Sequence, residues 1–419
     1  MTLKRAALYA ALFLFSVSGV ARAQDVSLTS RDGEVELTGT LLGFDGEFYR
    51  IETVYGEMTV DGSGVLCDGP ACPNLQDFVA EVSVSGSATM GAVLMPALIE
   101  GFALRNGMRT ERDDISATRF NYKIFNQATE KLAANFQFHV TNTDEGFSDL
   151  LINEADIVMS LREIRPSERQ RARDAGMGDL TGPNRSRVLA LDAVVPIVSS
   201  GNPVRSISPP QLAGVFAGEI DNWSDLGGPD APIDLHLPSG KTGLGQAVVD
   251  QIMKPAQREV VSGVVRHVNG VDLAQAVAAS PFAIGVASYA ETGDAQVLTL
   301  RGECGFSLRA ARRTIKTEDY PLTAPMFLYL PARRLPKIAR EFLSYTRGAS
   351  AQIVIRRTGF VDQAAEEIEI SDQGDRFANA ITTAGAEVSL EELQRMTATL
   401  MPMARLTTSF RFETGSIRL

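Results

Sequence analysis

Two stretches of the chain gather hydroxyls, glycines and the start of a helix, a combination suited to holding an anion. The first, Val82–Gly91, reads VSVSGSATMG, a strand that runs through a Gly/Ser loop into a helix. A helix start presents backbone N–H groups without partners and the positive end of the helix dipole. Ser85, Ser87 and Thr89 add hydroxyls at the same place. Taken alone, such a loop also reads as an ordinary helix cap. The second stretch, Leu235–Gly245, reads LHLPSGKTGLG. Its Gly240-Lys241-Thr242 imitates a nucleotide-binding loop, but that motif requires a Gly five residues before Gly240, where Leu235 stands. What survives is a loop with Ser239, Thr242 and the Lys241 charge, again suited to an oxyanion. The two loops lie about 150 residues apart, which suggests two lobes presenting helix starts to a shared cleft.

Little else in the sequence offers reactive chemistry. Three His and three scattered Cys are too few for most metal sites, so no metal or cofactor is expected. No nucleophile–base pair is visible, so no catalytic residue is expected and the chain reads as a non-enzyme. A formal charge of −11 without a basic block argues against nucleic acid as a partner. Asp144-Glu145 read as solvated loop carboxylates, Trp223 as a packed side chain, and Arg309, Arg312 and Arg313 as surface charge. His139 and His267 have no partner nearby in sequence and read as structural.

The elements that must carry these loops follow from the patterning. Residues 24–75 are short β-rich runs broken by Asp32-Gly33, Asp45-Gly46 and Tyr55-Gly56, a small antiparallel module. It ends in CDGPAC, where Gly69-Pro70 can turn Cys67 back toward Cys72, and a small-loop disulfide is favoured over two free thiols. Cys304 reads as a buried small hydrophobe. From residue 76 to about 365 strands alternate with amphipathic helices, predicting an α/β fold with mostly parallel sheets and two lobes, the second over about 193–288. Strands are expected over Val79–Val84, Phe136–Val140 and Ala155–Met159, and helices over Gly91–Asn106 and Ser148–Glu154. Residues 366–419 turn acidic and helical, with Leu390–Leu400 amphipathic, and close on a strand-like TTSFRFETGSIRL.

The first 23 residues have a secretory layout. Lys4 and Arg5 precede an apolar stretch of about 15 residues, Ala6–Val20, and Ala21-Arg22-Ala23 is a small-x-small cleavage signal. Cleavage near Ala23 removes three basic residues and no acidic one, taking the charge from −11 to −14. No later apolar run reaches the ~18 residues of a membrane span.

The chain between about residues 79 and 363 resembles the periplasmic phosphate-type solute-binding proteins of ABC importers. The segments that carry the resemblance include SGSATMGAVLMPAL, GFSDLLINEADIVMSLREI, NPVRSISPPQLAGVFAGEIDNWSDLGG, the SGKTG loop and YPLTAPMFLYLP. The resemblance implies a two-lobed type II periplasmic binding protein with a hinge, preceded here by the β module. It implies capture of phosphate or a related oxyanion in the periplasm for an ABC permease complex. By position it implies ligand contacts from Ser87, Thr89 and Met90, from Ser160 and Arg162, and from Ser239, Gly240, Lys241 and Thr242. The sequence departs from the family where Lys241 replaces Gly, where His236 stands for an Arg, and where Leu161-Arg162 follows Ser160 in place of an Asp. An Arg there would favour a fully ionised oxyanion or a carboxylate. The closing TTSFRFETGSIRL resembles the opening strand of an OmpA-like domain, of which only the start follows. With the β module it motivates an alternative role, an envelope sensor or cell-wall-associated docking protein.

Overall fold

A computed structural model describes residues 25–75, 78–302, 307–382 and 384–408. Residues 1–23, read above as a secretory leader, Cys304 and the tail from Ser409 lie outside these residues. The described chain forms two compact units, one of residues 25–80 with 334–340, the other of 81–333 and 341 onward.

The first unit is a single antiparallel sheet of β1 (Val26–Ser30), β2 (Glu36–Phe44), β3 (Phe48–Thr53), β4 (Gly56–Asp61) and β5 (Val65–Asp68), in the order β4-β3-β2-β1-β5. Gly56 takes φ 98° at the β3–β4 turn, a conformation that costs other residues a steric penalty. Val26, Leu28, Tyr49 and Ile51 form its core. Cys67 and Cys72 are joined by a disulfide with their Cα atoms 5.8 Å apart. The returning segment 334–340 supplies countercharges: Arg334 pairs with Asp45 and Glu47, and Arg340 reaches Glu47 at 2.6 Å. Hydrogen bonds from Arg340 and then Lys337 hold the Glu47 carboxyl down to about 2.

The second unit carries β6 (Ala80–Ser87), β7 (Met108–Asp114), β8 (Arg119–Asn126), β9 (Leu132–Thr141), β10 (Ile157–Ser160), β11 (Ser186–Val198), β12 (Ser206–Ile207), β13 (Asp234–Pro238), β14 (Val265–His267), β15 (Ala283–Ser288), β16 (Gln296–Val297), β17 (Thr299–Arg301), β18 (Ser307–Leu308) and β19 (Thr323–Tyr329). The main sheet runs β14-β13-β15-β11-β19-β10-β6-β9-β8-β7, with β16 on β11. β6–β10, β13–β14 and β13–β15 pair in parallel, as do β12 and β17 outside the main sheet; the long β7–β8–β9 meander and every pair made by β11 are antiparallel. The expected mostly parallel sheets are therefore corrected to a mixed sheet. Strands buried on both faces read as apolar runs whichever way they pair.

β11 ties the lobes together. Its first half pairs with β19 from Ser186↔Tyr329 to Ala193↔Thr323, and its second half with β15 from Val194↔Ser288 to Val198↔Ile284. From Leu189 to Val198 it is wholly buried. The second lobe's core gathers Val194, Trp223, Ile284, Leu300, Ile315 and Leu322, so it extends well past the boundary expected near 288. Trp223 is fully buried there and donates to the Phe282 carbonyl at 2.8 Å. The C-terminal helix Leu390–Leu400 has the predicted bounds.

Candidate functional site

Glycines let three helix starts approach one another. Gly86 takes φ 125° in the first loop, and a Cβ there would collide with the Met159 carbonyl of β10. A Cβ on Gly146 would lie 2.8 Å from Gly86 Cα, so the helix Thr143–Leu151 packs directly on that loop. A Cβ on Gly243, the first residue of the helix Gly243–Val248, would lie 3.0 Å from Ser87 Oγ and 3.1 Å from Leu161 Cδ1. That helix continues without a break as the π-wound segment Val249–Met253. Ser87 of one lobe thus faces a helix start of the other. Asn142 bridges the same gap: its Nδ2 donates to the Lys241 carbonyl at 2.9 Å, and its Oδ1 accepts from Gln246 Nε2 at 3.2 Å.

The residues singled out by sequence take unequal positions. Ser87 is fully buried, and its hydroxyl has no partner among the described residues. Thr89 precedes the π-wound turn Met90–Leu94, which passes into the α-helix Met95–Arg105, and makes no side-chain cap. The Met90 side chain is wholly in the core, which leaves only its backbone for a ligand. The Ser160 hydroxyl donates to the Arg162 carbonyl at 2.6 Å. Thr242 is an N-cap, its Oγ1 accepting from Gly245 N–H and donating to the Ser239 carbonyl. Ser239 Oγ accepts from Lys241 N–H at 3.3 Å, and Gly240 and Lys241 are exposed.

Arg162 departs most from its sequence reading. Its guanidinium is claimed by Glu168 at 2.7 Å and by Asp144, leaving only a buried Nε without a partner. Burial opposes its charge, but hydrogen bonds to Glu168 and Asp144 outweigh that and raise it. Burial likewise works to raise Asp144, yet Arg162 and Arg165 hold it below the usual carboxylate range. Asp144 and Glu145 lie in the first turn of a helix and not in a loop, with Glu145 exposed as expected, and that helix starts five residues before the predicted Ser148. Because Arg162 is already neutralised, it no longer argues for a fully ionised ligand.

The histidines have spatial partners that the sequence hid. His139 Nδ1 lies 2.7 Å from Asp149 Oδ2, which also accepts from Ser85 Oγ at 2.5 Å. The carboxylate stands between hydroxyl and imidazole, so His139 is not placed to take the Ser85 proton. His236, where the family has an Arg, faces His267 with Nδ1 to Nε2 at 2.9 Å and stacked rings. Burial, then His267, pushes His236 down.

Sequence reasoning missed Thr141, Asn142, Thr143 and Gln246. Thr141 Oγ1 and Gln246 Oε1 are shielded from solvent and unpartnered, and Thr143 Oγ1 accepts from Leu161 N–H at 3.1 Å. An Asn followed three residues later by Glu is a helix-start signal, and Asn142 does accept from Glu145 N–H. Nothing local marks Gln246. Among the described residues no cluster of His, Cys, Asp and Glu could hold a metal ion.

Two lobes that share a crossing strand and bring helix starts to one cleft define a ligand-capturing class of protein. Residues 114–348 match the model of the PBP superfamily domain, and the chain belongs to that family. It is similar to the phosphate-binding protein PstS of Staphylococcus haemolyticus, 24% identical over 50% of this chain and 67% of that protein. It is also similar to PstS of Bacillus subtilis, 27% identical over 38% of this chain and 52% of that protein. The fold is that of an ABC-type phosphate transport receptor from Vibrio cholerae, with TM-score 0.50 and 18% identity over 67% of this chain and 99% of that one. A substrate-binding protein of a putative phosphate ABC transporter from Clostridium perfringens gives TM-score 0.51 with the same identity and coverage.

Proposed function

We propose that this chain captures phosphate or a related oxyanion between its two lobes and delivers it to an ABC-type permease. The observation that carries the reading is the Ser87 hydroxyl, fully buried, unpartnered, and set against the first residue of a helix in the opposite lobe. The names of the relatives favour phosphate as the ligand.

In this reading the anion is held by neutral dipoles: Ser87 Oγ, Thr141 Oγ1 and the N–H groups of the helix starts. Gln246 takes the acceptor role that the family gives to the Asp missing beside Ser160. The Asn142 amide is oriented by Glu145 N–H and the Lys241 carbonyl, so Gln246 must turn its Nε2 toward Asn142 and leave Oε1 as an acceptor. An acceptor without a proton of its own suits a P–OH group and disfavours sulfate, which has none at neutral pH. Capture needs no catalysis; it requires only that the ligand bind the closed form better than the open one.

Isothermal titration of residues 24–419 with phosphate, sulfate, molybdate and small carboxylates tests this. Phosphate is expected to bind tightest, and no binding of any of them at millimolar concentration would overturn the reading. The secretory layout of residues 1–23 supports capture in the periplasm, and among the described residues no helix is long and apolar enough to cross a membrane. The β unit, with its own core and disulfide, and the OmpA-like tail support an added envelope-docking role. Cosedimentation with isolated cell wall tests that role, and a chain that stays in the supernatant would exclude it.

A further inference from the structure

A hollow of about 370 Å³ is lined by Arg187 on β11, by Thr346, Arg347 and Gln352, and by Gln363. None of the residues assigned to the cleft lines it, and no carboxylate does either. The Gln352 amide and the Thr346 hydroxyl are already engaged: Gln352 Nε2 donates to the Thr346 carbonyl, Gln352 Oε1 accepts from Gln363 N–H, and Thr346 Oγ1 donates to the Leu343 carbonyl. The two arginines are not neutralised. Arg187 donates through Nη1 to the Leu343 carbonyl at 2.6 Å, while its Nε is shielded from solvent without a partner. Arg347 donates to Asn184 Oδ1 at 3.2 Å. Neither forms an ion pair with a described residue. The carboxylate next along the chain, Asp362, is buried and paired with Lys316 at 3.0 Å. Burial, and then the neighbouring Arg347 charge, push the Arg187 guanidinium down to about 10.

The helix Ala349–Arg357 begins at the rim of the same hollow, and its N-cap Gly348 offers no side-chain acceptor to the first N–H groups. Two facing cations without a countercharge are unusual in a chain of net charge −11. A guanidinium pair matches an oxyanion through charge-assisted hydrogen bonds, and the helix start adds further donors.

We propose that this hollow is a second anion site, distinct from the cleft between the lobes, which takes a doubly charged oxyanion such as sulfate, hydrogen phosphate or the head of a phosphate monoester. Occupancy would fasten β11, the strand shared by both lobes, to the helix Ala349–Arg357.

The test is thermal unfolding of the mature chain in 10 mM sodium sulfate against sodium chloride of equal ionic strength. The wild type should show an upward shift of about 2 °C from ligation of the folded state. Arg187→Gln/Arg347→Gln should lose most of that shift, and Ser87→Ala should keep it. Arg347 is exposed, so Arg347→Gln alone should fold normally; titrated with sulfate, it should bind at least tenfold more weakly than wild type. An unchanged shift in the double variant, unchanged sulfate affinity in Arg347→Gln, or loss of the shift in Ser87→Ala would each overturn the proposal.

Discussion

Leaving a buried polar group without a hydrogen bond costs about 1–3 kcal/mol. Ser87 Oγ, Thr141 Oγ1 and Gln246 Oε1 are each shielded from solvent without a partner, and under the proposed function the bound oxyanion supplies the partner that Ser87 lacks. Ser87→Ala should therefore weaken phosphate binding by about 10- to 100-fold while leaving the ligand-free melting temperature unchanged or higher, checked by titration and calorimetry. Arg162 behaves differently. Arg162→Gln leaves the buried Glu168 without its cation, so the loss should appear as stability, about 3 kcal/mol by denaturant unfolding. If Arg162→Gln instead lowered affinity with unchanged stability, the guanidinium would have to be counted as a ligand anchor. Ser87 was legible in the sequence because a hydroxyl in a Gly loop before a helix announces its chemistry. Thr141 and Gln246 were not, because their importance arises only where two segments about 100 residues apart are packed together. The partners of His139 and His267 were hidden too: Asp149 reaches His139 from the next helix, and His236 faces His267 from the neighbouring strand.

Helix starts can converge only where backbones come closer than side chains normally permit, and Gly86, Gly146 and Gly243 supply that closeness. Gly243 is the one on the interface between the lobes. Gly243→Val adds two methyl groups at a place where even a Cβ would lie 3.0 Å from Ser87 Oγ and 3.1 Å from Leu161 Cδ1. The variant should fold with a near-normal melting temperature, bind phosphate at least tenfold more weakly, and show a larger radius of gyration by small-angle scattering when phosphate is present. Normal affinity would mean that the lobes need not meet at this point. The strand–loop–helix units at both anion loops were readable from Gly and Ser punctuation, as was the amphipathic helix Leu390–Leu400. The direction of strand pairing was not. β11 is buried on both faces, and such a strand has the same composition whether its neighbours run parallel or antiparallel.

Across the whole molecule, β11 is paired into both lobes, and a buried acid sits at its midpoint. Asp192 is 2% exposed, accepts from Ser288 Oγ at 2.6 Å, and has an Oδ1 without a partner. Burial pushes its carboxyl up to about 7. A folded value above the unfolded one means that the native state holds the proton more tightly. The associated stability is complete below about pH 4, declines between about pH 4 and 7, and is absent above. Asp192→Asn should flatten the dependence of melting temperature on pH in that window and be most stabilising, relative to wild type, at pH 8. An unchanged profile would place the acid effect elsewhere. The contact between lobes also includes Arg165 and Asp250 at 3.1 Å, a half-exposed pair worth about 1 kcal/mol or less. Two lobes could be read from length and patterning. That residues 334–340 belong to the first unit could not, since their charges find Asp45 and Glu47 only in three dimensions.

That last feature sets an order of assembly. Residues 25–80 emerge from the ribosome well before residues 334–340, the segment about 250 residues later that completes their unit. Throughout that interval Asp45 and Glu47 lack their arginines, and the sheet relies on four buried side chains and one disulfide. The β unit is therefore begun early and finished late, and a nascent chain halted before residue 334 would present it incomplete to proteases and chaperones.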